Sequence, residues 1–180
     1  MGTPCSYGIK KNGVVKSSYY HWDGGINVFG KNFLTEIKIV SLNRLSSLFD
    51  KIQMVELDST PTQEQIDYCK KYGWFDNSFD DRKDTNWFCL LQKTLGSFNQ
   101  LLLVENENPL MISYPIDGYC YGYLIDFDEN LFIVYEYGKI KAIIPLEYIE
   151  TTSIFDLLKC LEIQFSDKSF EDAWELVSKK

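Results

Sequence analysis

The spacing of apolar positions along this 180-residue chain changes twice, from strand-like to helical and back, before it closes on helices. Residues 5–10 and 14–21 read as two strands joined at Lys11-Asn12-Gly13. Asn-Gly is a strong hairpin signal, because both residues tolerate the positive φ of a tight type I′ turn. On the second strand Val14, Lys16, Ser18 and Tyr20 share one face, and Val15, Ser17, Tyr19 and His21 share the other. Gly24, Gly25 and Gly30 bracket a bend, and a short helix follows over 32–40.

Ser41 then has the place of an N-cap, ahead of Leu42, Leu45, Leu48, Phe49 and Ile52 at helical spacing. Residues 52–57 continue as a strand. Pro61-Thr62 with Gln65 forms a capping-box start for a helix through Tyr72, closed by Gly73. Residues 76–86 are the most polar stretch and read as a loop ending in an N-cap. Trp87, Leu90, Leu91, Leu95 and Phe98 stripe a further helix, which Gly96 weakens.

Strand periodicity returns over Tyr119–Asp126, Leu131–Tyr137 and Ile140–Pro145, three runs separated by Asp128-Glu129-Asn130 and Gly138-Lys139. They predict an antiparallel meander. Ser153 caps a helix through Leu161, and Ser169 with Asp172 caps a last one carrying Phe170, Ala173, Trp174 and Val177. The order predicts a single α+β domain over residues 1–180: an antiparallel sheet of about five strands, N-terminal hairpin plus C-terminal meander, packed with helices.

Composition narrows the function classes. Hydrophobic residues make up 45% of the chain, far from the signature of disorder. Aromatic residues reach 16%, which fits either a half-buried sheet face or a recognition surface. The net charge of −8 comes with only two arginines, Arg44 and Arg82, and no basic cluster to displace counterions from a phosphate backbone. Direct nucleic-acid binding is therefore not expected. Five cysteines, Cys5, Cys69, Cys89, Cys120 and Cys160, lack any C-x-x-C pair. With no apolar leader and no stretch of membrane-spanning length, they predict free thiols in a cytoplasmic protein, without metal, cofactor or membrane.

One cluster stands out as candidate chemistry. Tyr19-Tyr20-His21-Trp22-Asp23 runs off a strand end into Gly24-Gly25, and His21 is the single histidine of the chain. A strand end fixes the backbone, glycines keep the approach open, and aromatic rings supply binding area at low entropy cost. Were the strand to persist, His21 and Asp23 would share a face and could act as a general acid–base pair. The plainer alternative is packing, with Asp23 accepting backbone N–H groups in the turn. The expected binding surface comprises Tyr19, Tyr20, His21, Trp22, Asp23, Tyr119 and Tyr121, with Trp22 contributing most.

Other polar groups read as structure. Asp76, Asp80, Asp81 and Asp84 miss the spacing of a calcium loop and predict a solvated loop. Asp126, Asp128 and Glu129 sit where a hairpin turn favours them. Cys5 lacks an evident base, and serine-hydrolase, P-loop, dinucleotide, kinase and zinc-protease motifs are absent from the sequence.

Met1-Gly2-Thr3, the hairpin, Tyr20-His21-Trp22-Asp23-Gly24, Gly30 and the later Tyr119–Asp126 and Leu131–Tyr135 runs resemble a group of small uncharacterised proteins of bacteriophages and mobile elements. That group begins Met-Gly-Thr-Arg and continues His-Trp-Asp-Gly-Tyr-Pro; here Pro4 replaces the arginine and Gly25-Ile26 replaces Tyr-Pro. The resemblance implies a viral or mobile-element origin and life in the cytoplasm of a bacterial host, without a mechanism.

Three functions are compatible with these features. The first is an accessory binding protein that sequesters or inhibits a host component, a defence protein or its signalling molecule, without catalysis. The second is a small hydrolase or transferase using His21 and Asp23. The third is an immunity protein or antitoxin whose acidic surface neutralises a basic toxin.

Overall fold

Asn12 and Gly13 both adopt positive φ, 54° and 74°, and turn β1 (Cys5–Lys11) back onto β2 (Val14–Tyr20). In the computed structural model, which describes residues 2–76, 78, 85–104 and 107–179, β1 also pairs with β5 (Tyr121–Asp126). Beyond it lie β6 (Leu131–Glu136) and β7 (Lys139–Pro145), giving one five-stranded sheet in the order β2-β1-β5-β6-β7. The hairpin and the meander thus share a sheet, and three of its four pairings are antiparallel. The joining pair, β1 with β5, is parallel. Parallel neighbours need a crossover connection, and the whole central helical block serves as that crossover.

Side chains tie the join together. The Asp128 carboxylate accepts the N–H groups of Asn12 at 2.7 Å and Gly13 at 2.8 Å, so the second hairpin turn caps the first. Those bonds hold the Asp128 carboxyl below its usual value. Beside them the Lys10 ammonium meets the Asp126 carboxylate at 2.8 Å.

The predicted helices form where their caps stand. After one π turn at Ile26–Gly30, α1 spans Lys31–Val40 and α2 spans Leu42–Lys51, with the Ser41 hydroxyl accepting the Arg44 N–H. β3 is Gln53–Glu56, and α3 (Gln63–Lys71) opens on the full Thr62/Gln65 capping box. The long helix expected over 87–98 is broken instead. It becomes α4 (Trp87–Leu90), a 3-10 turn at Gln92–Thr94, and α5 (Phe98–Leu102). Gly96 lies between the last two at φ 83°, and the Tyr20 ring occupies the space where its Cβ would stand. The apolar stripe was a record of burial rather than of one continuous helix. Trp87, Leu90, Leu91 and Phe98 are all buried, although the chain bends between them.

Two elements had no clear sequence signal. β4 (Leu110–Ser113) pairs in parallel with β3 as a second, two-stranded sheet, and α6 (Leu146–Thr151) starts directly after Pro145. α7 (Ile154–Gln164) and α8 (Phe170–Ser178) close the domain behind their serine caps.

The core lies on one face of the large sheet. Cys5, Tyr7 and Ile9 of β1 share that face with Tyr123, Ile125, Phe132 and Val134, all buried. Phe33 of α1 sits among them, its ring centroid 5.4–6.3 Å from those of Tyr7, Phe29, Phe98, Tyr123 and Phe132. Much of the aromatic excess is spent on this cluster. The opposite face carries small residues, Ser6, Gly8, Ser17 and Gly122, over which residues 114–118 pass.

Charged side chains finish the helix ends. Lys16 donates to the carbonyls of Phe49 and Ile52 at the end of α2, and Lys38 to those of Ile149 and Thr152 at the end of α6. Glu36 accepts from the Ser97 hydroxyl and the Asn99 N–H at the start of α5. Its removal in Glu36→Ala should cost about 1 kcal/mol, because the part-buried Ser97 hydroxyl and Asn99 N–H would lose their shared acceptor. Burial pushes the Glu36 carboxyl above its ordinary 4.5, against the pull of the hydrogen bonds. The folded state therefore holds this proton more tightly than the unfolded chain. Its contribution to stability is full below the ordinary value and is lost as pH rises through the raised one. Melting temperatures followed from pH 4 to 7 should show that decline in the wild type and a flatter profile in Glu36→Gln; parallel profiles would contradict it.

The exposed edge of the sheet is blunted. The Gln164 amide donates to the carbonyl of Ile143 and accepts its N–H, at 2.9 and 3.0 Å, and Pro145 offers no N–H. This leaves little of β7 available for pairing with another strand.

Candidate functional site: an aromatic cleft at the end of β2

Tyr19 and Tyr20 are neighbours on β2, so their side chains leave the sheet on opposite faces. Tyr20 joins the core face, half-buried, its ring 4.9 Å from that of Phe29. Tyr19 faces the other way and forms the floor of a cleft of about 460 Å³, lined also by His21, Leu57, Asp58, Asn86, Phe88, Tyr114 and Tyr119.

Several elements bring those residues together. The small sheet docks on β2 by paired bonds: the Tyr114 N–H donates to the Ser17 carbonyl, and the Ser17 hydroxyl donates to the Tyr114 carbonyl at 2.6 Å. Tyr114 and Tyr119 stack nearly parallel, 4.7 Å apart and 6° out of plane, and both rings lie near Tyr19, at 5.4 and 6.2 Å. From the other side, Asn86 caps α4 by accepting the Phe88 N–H at 2.7 Å. Trp87 turns inward, and its indole N–H donates to Ser59. That bond ties the 57–60 loop, with Asp58, to the start of α4. Phe88, next along the helix, points to the cleft and lies nearly parallel to Tyr19 at 6.4 Å, with His21 edge-on to it at 6.1 Å.

Two of the phenols here, those of Tyr19 and Tyr119, are neutral near pH 7. Burial pushes Tyr19 well above its usual value and Tyr119 up to about 12. The cleft offers tyrosine and phenylalanine rings, the His21 imidazole, an amide, and one exposed carboxylate at Asp58.

A second cleft, of about 450 Å³, opens beside the π turn. Asp23, Gly25, Ile26, Asn27, Val28, Tyr121, Glu162 and Phe165 line it. Tyr121 is one register step from Gly122 and projects to the core face, with its ring 6.4 Å from Phe165.

The residues expected to form one surface thus separate. Tyr19, His21 and Tyr119 line the first cleft, and Asp23 and Tyr121 line the second. Trp22 stands beside His21, its ring edge-on at 5.4 Å and 45% exposed, and belongs to the lining of neither. β2 ends at Tyr20, so the shared face anticipated for His21 and Asp23 is not extended to them. Asp23 instead accepts the Gly25 N–H at 3.3 Å, as a turn aspartate does.

Leu57, Asp58, Asn86, Phe88 and Tyr114 were not legible as site residues.

The remaining candidates are structural. Asp126 accepts the N–H groups of Asp128 and Glu129 in its turn. Asp76 accepts that of Ser78, while Asp80, Asp81 and Asp84 lie outside the described residues. Burial pushes the Cys5 thiol up, the reverse of what a nucleophile needs. Among the described residues no group of three or more metal-ligating side chains converges, and no helix is long and apolar enough to cross a membrane.

One substitution connects the fold to the cleft. A Cβ at Gly122 would run into the Ile116 carbonyl oxygen, which lies in the segment between Tyr114 and Tyr119. Gly122→Ala should displace that segment, lowering the melting temperature and disturbing both rings. Unchanged aromatic chemical shifts for Tyr114 and Tyr119 in the variant would contradict this.

No family model, curated protein or solved structure matches the chain.

Proposed function

We propose that the protein is a non-catalytic binding protein of a bacteriophage or mobile element, which captures a host component in the cleft floored by Tyr19. The component is a defence protein or its signalling molecule. One observation carries this reading: five rings from three separate stretches of the chain, 19–21, 88 and 114–119, converge on a cleft large enough for a small ligand or an inserted side chain. Rings held by packing and capping give contact area without much loss of freedom on binding. The N-terminal motif supports the origin. Asp23 and His21 line different clefts, which does not favour the hydrolase reading.

The test is capture from a host lysate by the intact chain, with mass spectrometry of retained proteins and small molecules. A retained component that is lost in Phe88→Ala and Tyr119→Ala, with both variants folded, is the expected result. Equal retention by both variants would place the binding surface elsewhere.

A further inference from the structure

We propose that the cleft takes a small organic cation of the alkylammonium type, seated against the ring faces of Tyr19, Phe88 and the stacked Tyr114–Tyr119 pair, with Asp58 as its counter-charge. This rests on the reading of the cleft as the binding site and adds the chemistry of what it binds.

The lining itself argues for a cation. An aromatic ring carries negative charge on its face, and several faces turned to one space attract an alkylated ammonium more strongly than a neutral group of the same shape. Here Tyr19 contacts Tyr114, Tyr119 and Phe88, so the faces belong to one assembly. Among the described residues lining the cleft, Asp58 carries the formal charge, and it is exposed and free to approach a ligand at the rim. The Asn86 side-chain oxygen is engaged by the Phe88 N–H, so the attraction for a cation comes from the rings and Asp58 and not from this amide.

An anionic ligand is disfavoured twice, by Asp58 locally and by the net charge of −8 overall. A phosphate-bearing molecule would want a lysine or arginine for its charge, and none stands among the described lining residues, whose donors are the tyrosine hydroxyls, the Asn86 amide and the single imidazole of His21. The volume of about 460 Å³ suits a small molecule.

The experiment compares three probes on the intact chain, by titration followed in the NMR signals of the aromatic side chains. Choline is the cation, 3,3-dimethyl-1-butanol its neutral isostere, and AMP a stacking anion. Choline should shift the signals of Tyr19, Phe88, Tyr114 and Tyr119, with the neutral isostere weaker by about tenfold. Phe88→Leu keeps an apolar group of similar size and removes the ring, so it should weaken choline about tenfold while the melting temperature barely moves. Asp58→Asn should weaken choline less and remove most of its salt dependence.

Equal binding of the isostere would overturn the cation assignment, as would AMP binding in preference to choline or no response to any probe. Those results leave the capture reading standing if the lysate component is still lost in Phe88→Ala. Choline bound at the cleft, with lysate capture unaffected by the cleft variants, would uphold the cation site and sink the capture reading.

Discussion

Phe33→Ala is expected to lower the free energy of unfolding by about 3–5 kcal/mol, the range for truncating a large core aromatic. Its ring is 1% exposed and makes five ring contacts, to Tyr7, Phe29, Phe98, Tyr123 and Phe132. These partners come from β1, the π turn, α5, β5 and β6, so no single neighbour can move in to fill the void. The surrounding rings are rigid, and the lost contacts are not regained by relaxation. The melting temperature should fall by roughly 10 °C. Ile39→Ala, at a 72% exposed position on the same helix, is the control and should change stability by no more than about 0.5 kcal/mol. Chemical denaturation of both variants decides it. Comparable losses would show that α1 is not held through Phe33.

Phe88→Ala is expected to cost the captured component about 2 kcal/mol of binding or more, with a smaller effect on folding. Phe88 is half-buried, lies parallel to Tyr19, and is positioned by the Asn86 cap and by the inward anchor of Trp87. It can therefore contribute area to a ligand without first having to be ordered. Trp22→Ala should cost less, because Trp22 lines neither cleft. That order reverses the expectation from sequence, in which an exposed tryptophan beside a histidine was the strongest anchor. Affinity measured together with melting temperature separates the cases. A larger binding loss for Trp22→Ala than for Phe88→Ala would move the site to the ridge and out of the cleft.

The sequence alone determined those features whose causes are local. Asn12-Gly13 specifies its turn because both residues accept positive φ, and Thr62 with Gln65 specifies a helix start because the two side chains satisfy each other's backbone donors. Apolar spacing and helix caps placed five of the eight α-helices among the described residues, α1, α2, α3, α7 and α8, and strand alternation grouped the hairpin with the meander. The parallel β1–β5 pair, the β3–β4 sheet and the break at Gly96 depend on partners far along the chain, and no local pattern encodes them.

The candidate site divides in the same way. That β2 would end in aromatic residues beside glycines was plain from the order of residues. Which rings would meet was not. Alternation sends Tyr19 and Tyr20 to opposite faces, but only the docking of β4 on β2 and of α4 on the 57–60 loop brings Tyr114 and Phe88 to Tyr19. A cleft is a property of surfaces that are distant in sequence and close in space. Its chemistry was written in the residue types, and its membership was decided by tertiary packing.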